Sequence, residues 1–300
     1  MIYFSSTCSK FEDFGDIVDE MVDLGIRNIE LSGNLKFNPD ILTHMRLLRE
    51  KHRLNLMVHH YFPPPQEPFV LNLASQNPDI RKKTFSLIQQ VSDLIEQLDI
   101  PVYGVHGGHC VDMLPEMKNL HFIIDEQTKV EKQKALKTFQ ENVDYIIREF
   151  FPRKRRMAVE NLFVVSQDQH YALLATPDQI DRFMEFARGY DNLGLLLDLG
   201  HLNVTARTFG FDAVSHARFL LKNYSQKIFQ LHLSENDGSF DVHHVHKEDS
   251  WQLEILEDFS SIIKGIPITF EWFHQTNSRE DIIGGIKMIQ EKFGASLLQN

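Results

Sequence analysis

The sequence predicts an α/β fold, a (β/α)8 TIM barrel that occupies residues 1–300 as a single domain. Short apolar runs rich in β-branched and aromatic residues alternate with longer amphipathic stretches, and this alternation repeats eight times. No low-complexity linker interrupts it, and 300 residues suffice for eight βα units. A doubly wound open sheet is the alternative, but no G-x-G-x-x-G motif follows the first strand candidate, which disfavours a dinucleotide-binding fold.

Eight segments are strand candidates because each is a short apolar run bounded by polar or turn-forming residues. In chain order they are Ile2 to Ser5, Asn28 to Ser32, Leu54 to His59, Val102 to His106, Met157 to Glu160, Leu193 to Asp198, Ile228 to His232 and Ile268 to Trp272. Pro267 precedes the last candidate, where the missing backbone donor does least harm to a strand.

Amphipathic stretches separate most of the strand candidates and predict helices. The clearest are Asp13 to Leu24, Ile80 to Leu98, Lys132 to Glu149, Thr176 to Arg188 and Arg279 to Phe293. In Thr176-Pro177-Asp178 we expect the threonine at the N-cap and the proline at the first helical position.

Charge and composition narrow the class of protein. No segment approaches the roughly 18 uninterrupted apolar residues of a membrane span, and MIYFSSTCSK does not read as a secretory signal, so a cytoplasmic protein is expected. Cys8 and Cys110 are too few for a disulfide scaffold and are expected as free thiols. The net charge of −11 disfavours a protein that holds nucleic acid on a basic surface.

Ligand-type residues stand at the ends of six consecutive strand candidates, from the third to the eighth. In a (β/α)8 barrel the carboxyl ends of the strands form one rim, where the chemistry occurs. Side chains from these ends, and from the loops after the sixth and seventh strands, would meet at that rim: His59, His106, Glu160, Asp198, His201, His232, Asp241, His243 and Glu271.

Bound cations are the natural compensation for so many buried ionisable groups, because each unpaired charge costs several kcal/mol. Imidazole and carboxylate ligands without thiolate suit zinc, manganese or other divalent ions of that class. The alternative interpretation is that a histidine at a strand end is simply a hydrogen-bonded structural residue. That interpretation does not readily explain ligand-type residues at six consecutive strand ends.

Other residues near the rim are expected to support the site. Five more histidines are expected to contact ligands or substrate, or to be solvated: His60, His109, His244, His246 and His274. Tyr61, Asn161 and Trp272 are expected to line a substrate cavity. The basic run of residues 153–156 precedes the fifth strand candidate and is therefore expected on the opposite face of the barrel.

These segments resemble the xylose isomerase-like TIM-barrel superfamily, which includes sugar isomerases, sugar 3-epimerases and endonuclease IV. The resemblance covers nearly the whole chain. It is carried by NIELSG at the second strand candidate, VLNLAS after the third, VHGGH at the fourth, VENL at the fifth, LLLDLGH at the sixth, LHLSENDG with DVHH after the seventh, and TFEWF at the eighth.

Two branches of the superfamily imply different uses of the rim. The epimerase branch binds one divalent metal through Glu, Asp, His and Glu, which match Glu160, Asp198, His232 and Glu271. There the two glutamates also move the substrate proton. Endonuclease IV binds three zinc ions through nine ligands, and all nine candidates named above match them.

The loops distinguish the two branches. Endonuclease IV carries arginine-rich and aromatic loops after its second and third strands that grip a bent duplex. Here Ser32 to Lys36 follows the second strand candidate, with no arginine before Arg46, and three prolines follow the third. A nucleic-acid partner is therefore disfavoured. The chain is more similar to sugar phosphate isomerase/epimerase proteins of the superfamily, some of which resemble it at HHYFPPP and are associated with surface-polysaccharide pathways.

The resemblance implies a divalent-metal-dependent isomerase or epimerase acting on a sugar or sugar phosphate. Glu160 and Glu271 would act as base and acid beside a metal-polarised carbonyl, and His201 would hold a substrate oxygen. The alternative is an endonuclease IV-like multinuclear zinc phosphoesterase, such as an AP endonuclease. A metal-binding protein without catalysis is a third interpretation.

Overall fold

Eight parallel strands close a barrel in the computed structural model, which describes residues 1–118, 121–151 and 155–294. The barrel strands are β1 (Ile2–Ser5), β2 (Asn28–Leu31), β3 (Asn55–His59), β4 (Val102–His106), β7 (Arg156–Glu160), β8 (Leu193–Asp198), β9 (Ile228–Leu233) and β10 (Ile268–Phe270). Two further strands, β5 (Asp112–Lys118) and β6 (His121–Asp125), form a separate hairpin. The barrel order is β1-β10-β9-β8-β7-β4-β3-β2, and β2 pairs with β1 to close it. The predicted (β/α)8 TIM barrel is confirmed.

Helices connect the barrel strands, and most begin after a residue whose side chain caps the first turn. They are α1 (Phe14–Asp23), α2 (Ile41–His52), α3 (Pro78–Gln97), α4 (Lys132–Glu149), α5 (Pro177–Ala187), α6 (Leu199–Phe209), α7 (Ala213–Tyr224), α8 (Trp251–Asp258) and α9 (Arg279–Phe293). As expected, α5 begins at Pro177 with Thr176 at its N-cap. In the described part of the chain, no helix is long and apolar enough to cross a membrane.

The barrel strands are apolar along most of their length because helices cover the outside and side chains fill the inside. All six residues of β8 are buried, for example. The interior also contains a polar layer, since Glu30, Gln230 and Thr269 are fully buried on β2, β9 and β10. Cys8 and Cys110 are buried free thiols.

The antiparallel hairpin of β5 and β6 was not predicted. It follows β4, and its pairing register shifts between Leu114 and Met117, on either side of Pro115. A proline within a short run argues against a strand, because it cannot donate to the ladder. The hairpin tolerates it at this irregularity.

Two further expectations differ from the structure or reach beyond its described residues. The last strand ends at Phe270 rather than Trp272, although the Glu271 N–H still donates to the Leu233 carbonyl at 3.0 Å. The basic run is described only from residue 155. Arg156 begins β7, at the end opposite Glu160, so this part of the run lies on the face predicted for it.

The loop after β3 packs against the rim. Its Phe62 is fully buried, and the Tyr61 ring contacts Phe122 of the hairpin with 5.8 Å between ring centres. The proline-containing segment thus lies beside β3 and the hairpin, close to the carboxyl ends of the strands.

Candidate metal centre

All nine predicted ligand residues lie together at the carboxyl ends of the strands. Eight of them are at most 7% exposed, whereas the side chain of His106 is 28% exposed. Among themselves their ligand atoms form three groups, in each of which the atoms lie within 4.8 Å of one another, and a fourth such group adds Glu30 to His59 and His232. Cluster 1 is His59, His106 and Glu160; cluster 2 is Glu160, Asp198, His232 and Glu271; cluster 3 is His201, Asp241 and His243.

Clusters 1 and 2 share Glu160, which ends β7 and is completely buried. Its Oε2 lies 2.7 Å from His59 Nε2 and 3.5 Å from His106 Nε2. Its Oε1 lies 3.2 Å from His201 Nδ1, but that nitrogen is already engaged by a backbone carbonyl. The second carboxylate oxygen therefore has no hydrogen-bond partner and faces cluster 2.

The electrostatics of cluster 1 leave a carboxylate beside a neutral imidazole. Burial lowers the pKa of His106 to about 3, so this ring is neutral at physiological pH. Burial favours the protonated form of Glu160, but the neighbouring imidazoles, chiefly that of His59, outweigh it and hold the pKa of Glu160 well below its usual range. The ionised carboxylate and the neutral His106 ring are ligands that suit a divalent cation.

Asp198 combines a structural role with a free ligand atom in cluster 2. It ends β8 and is the N-cap of α6, where its Oδ1 accepts from the His201 N–H at 2.6 Å. The Asn161 side chain fixes the Asp198 backbone by two hydrogen bonds of 2.8 and 2.9 Å. Asp198 Oδ2 has no hydrogen-bond partner although it is buried. Burial raises the pKa of Asp198 to about 6.

His232 and Glu271 complete cluster 2. His232 Nδ1 lies 3.3 Å from Glu271 Oε2 and about 4 Å from the nearest oxygens of Glu160 and Asp198. This nitrogen also has no hydrogen-bond partner. Although burial opposes ionisation, the contact with His232 lowers the pKa of Glu271 to about 2. Unpartnered buried atoms of three residues thus face one position, which is the arrangement that a bound cation would satisfy.

Backbone carbonyls set the ring orientation of both histidines in cluster 3. His201 Nδ1 lies 2.8 Å from the Asn161 carbonyl oxygen, and His243 Nδ1 lies 2.9 Å from the Glu271 carbonyl oxygen. A carbonyl can only accept, so both Nδ1 atoms carry hydrogen. Both Nε2 atoms then point at Asp241 Oδ2, at 3.1 and 2.7 Å. Two lone pairs cannot face a carboxylate without a proton or a cation between them, so this cluster also fits a metal.

In the cation-free protein, protons occupy those positions. Burial disfavours a charged imidazole, but the carboxylate of Asp241 outweighs it and raises the pKa of His243 to about 9. For His201, Asp198 and Asp241 together outweigh burial and raise the pKa well above its ordinary value. Cation binding at cluster 3 therefore competes directly with protonation.

Several expected neighbours have structural roles. Trp272 and Asn161 are fully buried, so they do not line an open cavity as expected: Trp272 Nε1 donates to His246 Nδ1 at 3.0 Å, and Asn161 holds Asp198. His60 is buried and stacks on His106, with ring centres 3.8 Å apart. His109 and His274 are half-buried, and His244 is exposed.

Glu30 was not recognised among the candidate site residues. It is fully buried on β2, and its Oε1 lies 2.8 Å from His232 Nε2. The signal was present in NIEL, where a carboxylate interrupts an apolar strand. A buried carboxylate requires a partner, which would have directed attention to this position.

Comparisons with known proteins agree with the fold. A family model described as a xylose isomerase-like TIM barrel matches residues 18–292. Among solved structures, a D-tagatose 3-epimerase-like protein is similar at a TM-score of 0.73 with 21% identity, over 98% of this chain and 97% of that one. D-psicose 3-epimerase from Clostridium cellulolyticum is similar at a TM-score of 0.67 with 16% identity, over 98% and 97%.

Endonuclease IV from Thermus thermophilus is also similar, at a TM-score of 0.62 with 14% identity, over 98% of this chain and 99% of that one. No curated protein sequence matches the chain. At these identities the solved structures show a common fold. The family model covers most of the chain, and the chain therefore belongs to the xylose isomerase-like TIM barrel family.

Proposed function

We propose that the chain is a divalent-cation-dependent isomerase or epimerase that acts on a sugar or sugar phosphate. The observation that carries the proposal is the placement of Glu160 and Glu271 around cluster 2. Glu160 ends β7 and Glu271 follows β10, while the two strands between them supply Asp198 and His232. The two carboxylates therefore approach one position from different sides of the barrel, as proton transfer at the two faces of a carbon requires.

A divalent ion held by cluster 2 would polarise a carbonyl and its neighbouring hydroxyl, which makes the proton on the adjoining carbon easier to remove. The carboxylates of Glu160 and Glu271 supply the acid–base function. The lowered pKa of each keeps it ionised at neutral pH, which is the form that a base requires. Inversion requires that one glutamate removes the proton as a carboxylate, while the other, protonated from solvent, supplies a proton to the opposite face.

The limited accessibility of the three clusters favours a small polar substrate. His106 is the cluster residue with substantial exposure, and the other eight are at most 7% exposed. A substrate must therefore reach the cations past His106, beside Tyr61 and the His60 ring. The net charge of −11 further disfavours a polyanion such as DNA. One similar structure, D-psicose 3-epimerase, was crystallised with D-tagatose, which supports a ketose as the first substrate class to test.

His201 fits the role of cation ligand better than that of substrate contact. Both of its ring nitrogens are engaged, by the Asn161 carbonyl and by Asp241. It could hold a substrate oxygen only by releasing Asp241. We therefore assign the direct proton-transfer roles to Glu160 and Glu271.

Solvent exchange tests the proposal directly. The chain, loaded with Mn²⁺, Zn²⁺ or Co²⁺, is incubated in D2O with a panel of ketoses and their phosphates, and deuterium at the carbon next to the carbonyl is followed by NMR. We expect incorporation in the wild type and none in Glu160→Gln or Glu271→Gln. Asp112→Asn is the matched control, because Asp112 is a buried carboxylate bound to Asn72 and Ser75 outside the clusters. Exchange that persists in both glutamate variants would refute the assignment.

A multinuclear phosphoesterase is the second candidate, and clusters 1 and 3 favour it. Proton transfer at a carbon requires one cation, whereas the nine residues form three adjoining ligand groups. Several cations together would activate water and stabilise phosphoryl oxygens. Elemental analysis separates the candidates: about one ion per chain supports the isomerase, and close to three with release of phosphate from a sugar phosphate supports the hydrolase.

A further inference from the structure

Glu30 lies directly behind cluster 2, on a strand that contributes no residue to clusters 1, 2 and 3. It is in β2, whereas His232 is in β9, and β1 and β10 separate these strands in the barrel order. The Glu30 side chain therefore reaches across the barrel interior, where its Oε1 lies 2.8 Å from His232 Nε2. Both residues are completely buried.

The other carboxylate oxygen of Glu30 is held by two neutral donors. Glu30 Oε2 accepts from the Gln230 amide and from the Thr269 hydroxyl, the latter at 3.2 Å. The Gln230 amide also donates to Thr269 Oγ1 at 3.3 Å. With one hydrogen directed to Glu30 and one to Thr269, the Gln230 nitrogen has none left for His232 Nε2, although it lies 3.0 Å away.

We propose that Glu30 is a positioning residue that holds one proton of His232 on Nε2 and so directs cation binding in cluster 2 to Nδ1. The nearest acceptor to Nε2 is the Glu30 carboxylate, and a charged acceptor fixes the tautomer most strongly. Nδ1 is the atom that faces Glu160, Asp198 and Glu271 and lacks a hydrogen-bond partner. A carboxylate behind a metal-binding histidine also makes the imidazole a stronger ligand.

Although ligand atoms of Glu30, His59 and His232 lie within 4.8 Å of one another, the contacts of Glu30 favour positioning over direct cation binding. Oε2 of Glu30 is committed to Gln230 and Thr269, and Oε1 is in contact with the nitrogen of His232 that points away from the other cluster 2 residues. Glu30 therefore acts through His232. The inference rests on the proposed function only in requiring that cluster 2 binds a cation.

Cation affinity of the full chain tests the inference. The protein is stripped with a chelator and titrated with Zn²⁺ in competition with a chromophoric chelator, and with Co²⁺ followed by its visible absorption. Glu30→Gln is expected to weaken binding at cluster 2 by about 10–100-fold and to change the Co²⁺ spectrum, because loss of such a partner typically costs that much affinity. Asp112→Asn is expected to bind like the wild type, since it removes a buried carboxylate outside the clusters.

The outcomes are distinct. A wild type that binds no cation overturns the proposed function, whereas a loaded wild type with unchanged affinity in Glu30→Gln overturns this inference alone. If Glu30→Gln does not fold, the histidine tautomers of the Zn²⁺-loaded wild type test the proposal instead. Long-range ¹H–¹⁵N spectra, assigned with His232→Asn, are expected to show His232 protonated at Nε2 and coordinated through Nδ1. Coordination through Nε2 or a proton on Nδ1 would contradict the proposal.

Discussion

Cation binding to clusters 2 and 3 should release protons at neutral pH. In the cation-free protein, nearby carboxylates outweigh the effect of burial and hold the pKa values of His201 and His232 well above the ordinary value. Asp241 likewise raises the pKa of His243 to about 9. These three imidazoles are therefore protonated at pH 7, and a cation must displace their protons. His106 contributes none, because burial lowers its pKa to about 3.

The expected magnitude follows from these three groups. A cation in cluster 2 alone releases about one proton per chain at pH 7, that of His232, and a second cation in cluster 3 raises the total to about three. Cation affinity should fall as the pH is lowered, since a protonated imidazole nitrogen cannot coordinate a cation. Each displaced proton changes the binding constant about tenfold per pH unit below the pKa of its group. For His243 alone, a change from pH 8 to pH 6 therefore weakens binding at cluster 3 by about 100-fold, or ~2.7 kcal/mol.

Titration calorimetry measures this proton release. Zn²⁺ is added to chelator-treated protein at pH 7 in two buffers with different ionisation enthalpies, and the difference in heat gives the number of protons. His243→Asn is expected to release about one proton fewer than the wild type, because it removes one protonated ring. Asp112→Asn should match the wild type. Measurable Zn²⁺ binding without proton release, or with equal affinity at pH 6 and pH 8, would refute the reasoning.

Three more predictions concern stability and packing. Removal of bound cations by a chelator should lower the melting temperature by about 8 °C. A ligand at about 1,000 times its Kd stabilises by ~4 kcal/mol, and a domain of this size shifts about 2 °C per kcal/mol. An unchanged melting temperature when a chelator is added to a cation-loaded sample would contradict this prediction. Gly104→Ala should lower the free energy of unfolding by ~1–3 kcal/mol and weaken cation binding at cluster 1, because the new Cβ would lie 2.7 Å from Leu196 and 2.8 Å from His59. Chemical denaturation measures the first effect and Zn²⁺ titration the second. Trp272→Phe should lower the free energy of unfolding by ~1–3 kcal/mol, because it leaves His246 Nδ1 without its hydrogen-bond donor. A denaturation curve that matches the wild type would contradict this prediction.

The barrel could be predicted because its signal is local. A parallel strand covered on both faces is an apolar run, and β8 is buried at all six positions. The helix start at Pro177 was likewise predicted from Thr176 and the proline alone. The β5–β6 hairpin could not be predicted, since its pairing depends on an irregular register around Pro115 that no alternation of residues indicates.

The site was predictable as a set of residues at strand ends, but its internal arrangement was not. The order of strands and the rule that their carboxyl ends share a rim bring the nine residues together. Their division into three clusters depends on side-chain direction. For example, Glu160 serves two clusters, while Asp198 uses one oxygen to cap α6 and leaves the other free.

Local apolar runs and the residues that end them suffice to predict the barrel, the rim and the imidazole and carboxylate groups gathered there. The tertiary structure alone decided which nitrogen each histidine presents and that Glu30 supports His232. Those features depend on acceptors brought from distant segments, such as the Asn161 carbonyl beside His201 and a carboxylate reaching across the barrel from β2. Closure of the barrel creates these contacts, and no local pattern in the chain records them.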